Sequence, residues 1–375
     1  MFDRPLEDAR ALVGREAQMT ELAARLKPGT DFLVEGPHRH GKTSLLNAAL
    51  VAFTNRERGV AVRVDCAGVL TAADFVRRME DAYERAWAEG SVEELLVERL
   101  ESLPFRLTGA EAMKPAARLE GLLDVATEVA ELTGQHGVVA FDEIQDVLAV
   151  PGIVDALGNA RNRGTNRIGY VFAGRDLSTA QHGLWSKRAP TVTVGPIESV
   201  LFAGEIMRRF AATGRDAGEA AKVIATLGAG HPQRTSLLAS QLWELTADGN
   251  RATVATARMA IEQSLARCGP EFDVRWNALH GNERRVAVAI ANDIAPQGTR
   301  AQRATGLASF GAAQRALQGI KSSGVAQTRD ERTTLTDPLF AEWLRRRYSQ
   351  TPAEPDWQTL RRRAELQRGG ITRGM

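Results

Sequence analysis

Apolar residues recur along this chain in two rhythms, and their order predicts its architecture. Short apolar runs bounded by turn residues predict strands at 31–35, 60–64, 137–141, 167–173 and 191–194. Between the strands the apolar period lengthens to that of helices. Met19, Leu22 and Leu26 mark a helix within 13–26, which Lys27-Pro28-Gly29 ends. A further helix is expected over 43–52, and residues 71–133 read as mostly helical with breaks near Gly90, Pro104 and Pro115. Strands alternating with helices predict an α/β unit, a mainly parallel sheet covered by helices on both faces.

After Pro196 the pattern turns helical, over 199–213, 216–227, 232–247 and 251–267. This predicts a helical lid at 197–270, behind an α/β core at 1–196. Further helices are expected at 281–292, 299–307, 311–323 and 337–348, with short strands at 325–328 and 333–335. Three helices followed by a two-stranded wing predict a winged helix-turn-helix at 271–349. The Pro-, Arg- and Gly-containing residues 350–375 read as a mobile basic tail.

Composition narrows the class. Of 375 residues, 43% are hydrophobic and 25% charged, the balance of a soluble globular protein. No apolar run approaches the roughly 20 residues that span a bilayer, so no membrane partner is expected. The acidic start, Met1-Phe-Asp-Arg-Pro-Leu-Glu-Asp, lacks the basic and apolar regions of a signal peptide. Cys66 and Cys268 stand far apart and in no metal-binding spacing. A reducing, cytoplasmic location is expected. The net charge of +2 is uneven: residues 271–375 carry 17 basic against 11 acidic side chains, and residues 1–270 carry 31 against 35. The basic C-terminal region suits an anionic partner or a solvated surface.

The candidate chemistry lies after the first strand. Gly36-Pro37-His38-Arg39-His40-Gly41-Lys42-Thr43 matches the phosphate-loop pattern G-x-x-x-x-G-K-[ST]. Its glycines let successive N–H groups turn toward phosphate oxygens, and the helix that follows, with Ser44 in its first turn, presents its positive end to the same anion. The pattern assigns ATP with Mg²⁺ as ligand: Lys42 for the β- and γ-phosphates, Thr43 for the metal. Lysine is rare here, six residues against 42 arginines, so a retained Lys42 points to a need for a compact ammonium. His38 and His40 are expected to face outward and have no further metal ligands in range. One hundred residues beyond Lys42, the buried run Val138-Val-Ala-Phe141 delivers Asp142 and Glu143 to the end of a strand. Asp142 is expected to hold magnesium through water, and Glu143 to polarise the attacking water as a general base.

These motifs together resemble the ATPases grouped with AAA+ and STAND proteins, especially the archaeal-ATPase and origin-recognition-like branches. Val13-Gly14-Arg15-Glu16 is similar to the motif these families place ahead of the phosphate loop, near the adenine. Asp142-Glu143-Ile144-Gln145 resembles their second acidic motif, and Gly230-His231-Pro232 the turn in their lid that approaches the nucleotide. Thr336-Asp337-Pro338-Leu339-Phe340 with Trp343 resembles the end of the winged helix often fused to them. The resemblance covers roughly 10–348. It implies an ATPase, and it marks three more arginines. Arg188, where such proteins often show Tyr-Gly-Arg-Ala, is a candidate arginine finger acting in a neighbouring subunit, which implies self-association. Arg175 stands where the family has a small polar sensor, a departure compatible with direct phosphate contact or with altered hydrolysis. Arg234 is a candidate lid sensor, although the origin-initiator pattern puts that arginine nearer Gln233.

In the last domain, residues 311–323 read as the recognition helix. Gln314, Arg315, Gln318, Lys321 and Ser322 suit the major groove or phosphates of double-stranded DNA, and Arg329 and Arg332 lie on the wing. The same polar faces suit protein contacts, so a signal-transduction ATPase is the alternative to a DNA-binding one. Arg345–Arg347 and Arg361–Arg363 read as solvated helix faces.

Overall fold

The computed structural model describes residues 12–27, 29–57, 59–88, 115–163, 167–179, 183–185, 189–296, 306, 309–329 and 331–348. The chain divides between Gly195 and Pro196 into two compact units.

The first unit is built on a five-stranded sheet. Its strands are β1 (Phe32–Glu35), β2 (Val60–Asp65), β3 (Gly137–Asp142), β4 (Ile168–Gly174) and β5 (Thr191–Thr193), in the order β2-β3-β4-β1-β5. Every pairing is parallel. Helix α1 (Glu16–Arg25) precedes β1; parallel neighbours need crossovers, and α2 (Lys42–Glu57), α3 (Ala72–Ala88), α4 (Pro115–Thr133) and α5 (Ile153–Arg163) lie in those from β1 to β2, β2 to β3 and β3 to β4. The strands are apolar on both sides because each side meets helices. Leu33, Val62, Val64, Val139, Phe141, Tyr170 and Phe172 pack with α3, α4 and α5. The alternate residues Phe32, Val34, Val138, Ala140, Val171 and Ala173 pack with Leu22 of α1 and with Leu45, Leu46 and Phe53 of α2. The sequence pattern sets no bounds for α5; its Ala-, Gly-, Asn- and Arg-rich stretch carries only Ile153, Ala156, Leu157 and Ala160 into the core.

The second unit holds α6 (Ser199–Ala211), α7 (Gly218–Leu227), α8 (Pro232–Leu245), α9 (Val254–Ala278), α10 (Gly281–Ala291), α11 (Phe310–Ser322) and α12 (Pro338–Tyr348), with the antiparallel hairpin of β6 (Ala326–Arg329) and β7 (Arg332–Leu335). The helix expected at 299–307 lies outside the described residues except for Gly306. Residues 197–270 and 271–349, expected as separate domains, share one hydrophobic cluster running from Ile206 to Leu344. The helix α9 crosses the expected boundary without a break, although Gly269-Pro270 reads as a helix end. Proline lacks the N–H for one helical bond, a cost of roughly 3 kcal/mol. Burial outweighs it: Ile261, Leu265, Cys268 and Phe272 recur at helical spacing and all enter the core.

A buried ion cluster ties α8, α9 and α12 together. Asp337 Oδ1 accepts from the backbone N–H groups of Leu339 (3.0 Å) and Phe340 (3.2 Å), capping α12. Its Oδ2 accepts from Arg234 Nη2 (2.6 Å) and Nε (2.9 Å), and from Arg275 Nη1 (3.2 Å). Glu271 Oε1 accepts from the same two arginines at 2.9 and 3.1 Å. Burial alone pushes the Asp337 carboxyl up, but the charge and hydrogen bonds of Arg234 outweigh it and hold the group below its ordinary value.

Removing one partner of such a pair leaves a buried charge uncompensated. Asp337→Ala is expected to cost roughly 3–5 kcal/mol of local stability, read as lost hydrogen-exchange protection in α8 and α12 together. Because the folded carboxyl is depressed, its stabilisation is complete above the unfolded value of about 3.9 and fades as pH falls through the lower folded value. Wild-type protection in these helices should therefore fall on acidification, and the acid dependence should shrink in Asp337→Asn.

Candidate functional site

The site forms where β1, β3 and β4 end. Between β1 and α2 the chain turns over residues 36–41, and two positions fix how. A β-carbon at Gly36 would collide with the carbonyl of Val194. Gly41 adopts φ 86°, the left-handed region that glycine enters without strain. Arg39 also has a positive φ, 61°. The turn ends at Lys42, the first residue of α2, so the phosphate-loop residues stand at a helix N-terminus as expected.

Lys42 is almost wholly buried, its side chain 2% exposed. Its ammonium donates to the carbonyl of Pro37 (3.1 Å) and lies 3.3 Å from Glu143 Oε1. Thr43 Oγ1 donates to Asp142 Oδ2 at 2.7 Å, so the two expected magnesium ligands touch. Arg63 Nη1 reaches the same Oδ2 at 3.3 Å, and the Glu143 N–H donates to Asp142 Oδ1 at 3.1 Å. Burial raises the Asp142 carboxyl above its ordinary value, against the lowering effects of Thr43 and Arg63. A bound cation therefore has an anionic form to stabilise here. These hard oxygens, one hydroxyl and one carboxylate, suit Mg²⁺.

Glu143 has φ 52°, left-handed for a non-glycine residue, at the start of the short helical turn Ile144–Asp146. Such a conformation is costly and collects at functional sites. Its carboxylate lies between Lys42, His38 Nδ1 (3.9 Å) and Gln145 Nε2, which donates to Oε2 at 2.7 Å. Burial opposes its charge, but His38, Lys42 and Gln145 overcome that and lower it to about 2.

Other expected residues are placed as follows. His38 is exposed, whereas His40 turns inward, against expectation; its Nδ1 meets the His38 carbonyl at 3.1 Å. Val13 and Gly14 form the turn before α1. Arg15 is buried and donates to the carbonyls of His40 (2.9 Å) and Gly195 (2.6 Å), clamping the phosphate loop to the chain beyond β5. Burial lowers its guanidinium to about 10. Ser44 lies in the first turn of α2. Arg175 follows β4; its backbone N–H donates to Gln145 Oε1 at 3.1 Å, and its buried Nε has no hydrogen-bond partner among the described residues. Arg188 lies outside the described residues.

His231, Pro232 and Arg234 belong to the second unit. His231 caps α8 by accepting from the Arg234 N–H at 3.4 Å, and Pro232 occupies its first turn. The Arg234 side chain is committed to Asp337 and Glu271. Gln314, Arg315 and Gln318 are exposed on α11, and Lys321 is half-buried. Arg329 ends β6, and Arg332 pairs with Asp293 at 3.3 Å. Arg345–Arg347 pair with Glu342, Glu262 and Asp273.

Two contributors were not read from the sequence, Arg63 and Gln145. Arg63 interrupts an otherwise apolar strand, the signal by which it could have been found. Gln145 stood in view inside the acidic motif without an assigned role.

The sheet order, the loop between β1 and α2, and the acidic pair ending β3 form a P-loop fold, a parallel sheet with helices on both faces. Solved structures share this fold, two of them over most of the chain. A Walker-type ATPase of Pyrococcus abyssi is 18% identical, superposes with a TM-score of 0.67, and the match covers 92% of this chain and 99% of that one. The ORC1 protein of Aeropyrum pernix, solved in complex with DNA, is 15% identical at a TM-score of 0.51, over 89% and 93%. No protein-family model matches the sequence, and no match is found among curated proteins. No helix among the described residues is long and apolar enough to cross a membrane.

Lys42→Ala is expected to weaken ATP binding on the order of 10- to 100-fold, the scale of one charged hydrogen-bonded contact. Thr43→Ala should instead abolish the magnesium dependence of binding. Titration of a fluorescent ATP analogue with and without Mg²⁺ checks both.

Proposed function

We propose that this chain binds Mg-ATP at Gly36–Thr43 and hydrolyses it, and that the energy switches conformation rather than phosphorylating a metabolite. The supporting observation is the convergence of Thr43 with Asp142 and of Lys42 with Glu143, within 2.7 and 3.3 Å. A bound magnesium ion neutralises charge on the β- and γ-phosphates. Thr43 and Asp142 would hold it. Lys42, already desolvated, exchanges its contact with Glu143 for one with the γ-phosphate. That exchange releases Glu143 Oε1 to orient and polarise water in line with the terminal phosphate. A carboxylate held as low as about 2 is a weak proton acceptor, so losing the Lys42 contact also raises its basicity. Arg175 and, from a second copy, Arg188 are the proposed stabilisers of γ-phosphate charge, and His231, Pro232 and Arg15 the proposed nucleotide neighbours.

The partner proposed for the second unit is duplex DNA. The exposed side chains Gln314, Arg315 and Gln318 share α11, and the ORC1 protein that the chain resembles was solved with DNA. A signal-transduction role is the second reading. It is favoured by the continuous α9 and the Arg234–Asp337 pair, which join α10–α12 and the β6–β7 hairpin to the helices before them as a single body.

Glu143→Gln is expected to keep ATP affinity while turnover falls on the order of 10²- to 10⁴-fold, the usual contribution of a positioned base. Parallel binding and phosphate-release assays check this, and undiminished turnover rejects the hydrolytic reading. Duplex binding should weaken steeply with salt, and Arg315→Ala should weaken it further at every salt concentration. Absence of duplex binding at low salt leaves the signalling reading. Specific activity should rise with protein concentration and lose that dependence in Arg188→Ala.

A further inference from the structure

Gln145 bridges the proposed base to the end of β4. Its Nε2 donates to Glu143 Oε2 at 2.7 Å and to Asp146 Oδ1 at 3.1 Å. Its Oε1 accepts from the Arg175 N–H at 3.1 Å. The amide orientation follows from its partners: two carboxylates require the NH₂ group, and an N–H requires the oxygen. Asp146 is itself fixed, because its Oδ2 accepts from the Gly68 N–H at 2.9 Å. Space for the carboxamide exists because residue 174 lacks a side chain; a β-carbon there would overlap Gln145 Oε1. Gly174 is the last residue of β4, and its own carbonyl accepts from the Gly36 N–H at 3.2 Å. The end of β4 therefore touches the phosphate loop through the backbone and Glu143 through Gln145.

We infer that Gln145 is a positioning residue: it holds the Glu143 carboxylate in the direction needed for water attack, and it keeps that hold when Lys42 leaves for phosphate. The inference rests on the hydrolytic reading above. Without Gln145, Glu143 Oε2 loses its amide donor, and the left-handed residue 143 is free to rotate its carboxylate away from the phosphates. Binding is untouched, because the hydrogen bonds of Gln145 run to Glu143, Asp146 and Arg175 rather than to the phosphate loop. The loss falls on kcat. The same network passes a shift at the end of β4, where Arg175 begins, to the base.

The test measures kcat, KM and the Kd of a fluorescent ATP analogue in the full chain. Gln145→Ala and Gln145→Met remove the donors, the second while keeping the length of the side chain. Each is expected to lower kcat on the order of 10- to 100-fold, the scale of outer partners in catalytic centres, with KM and Kd within about twofold of wild type. In the Glu143→Gln background, Gln145→Met should cost nothing more. Gly174→Ala should reproduce the kcat loss and add nothing to Gln145→Ala. A folded Gln145→Met with wild-type kcat beside an inactive Glu143→Gln overturns this inference alone. So does an equal further loss when Gln145→Met is added to Glu143→Gln. Full turnover in Glu143→Gln overturns the hydrolytic reading, and this inference with it.

Discussion

A buried ammonium must find a counter-charge, and the candidate site is organised around that need. Lys42 sits under the loop with a side chain 2% exposed, and in the chain alone Glu143 answers it. Burying either charge unpaired costs several kcal/mol. The phosphates of a nucleotide would offer the ammonium a stronger partner, and on the proposed reading the pair is exchanged. The residue that gives up Lys42 is the one the hydrolytic reading needs free. On the proposed reading, binding and activation are one event.

Sheet topology makes this exchange possible. In a parallel sheet the strand ends lie on one edge, where a change of strand order opens a crevice. Here β1 stands between β4 and β5, and β3 beyond β4. The loop after β1 and the carboxylates ending β3 consequently face each other across β4. Space at the end of β4 is short, which accounts for Gly174: a β-carbon there would overlap Gln145 Oε1.

Much of this was readable from residue order. The phosphate loop announced itself because its backbone geometry needs glycines at fixed positions, and the five strands because both faces of the sheet are apolar. The acidic pair was readable from the run Val138–Phe141 ahead of it. Other features depend on tertiary contact, which spacing does not carry. Gln145 and Arg63 gain their meaning from strands that are distant in sequence. The weakly apolar α5 is held by packing rather than by pattern. Gly269-Pro270 carries a strong local stop signal, and four buried side chains override it.

That override has a consequence for how the chain can be divided. A single rod, α9, contributes to the same apolar interior from both ends, beside residues as far apart as Ile206 and Leu344. Cutting after residue 270 would strip part of the wall from that interior and leave Arg234 buried without its two carboxylate partners, Glu271 and Asp337. The pieces on either side are not modules that evolution or a cloning experiment can exchange freely. The described residues from Ile206 to Leu344 line one interior, so the last helices and the hairpin share their packing with the helices before them.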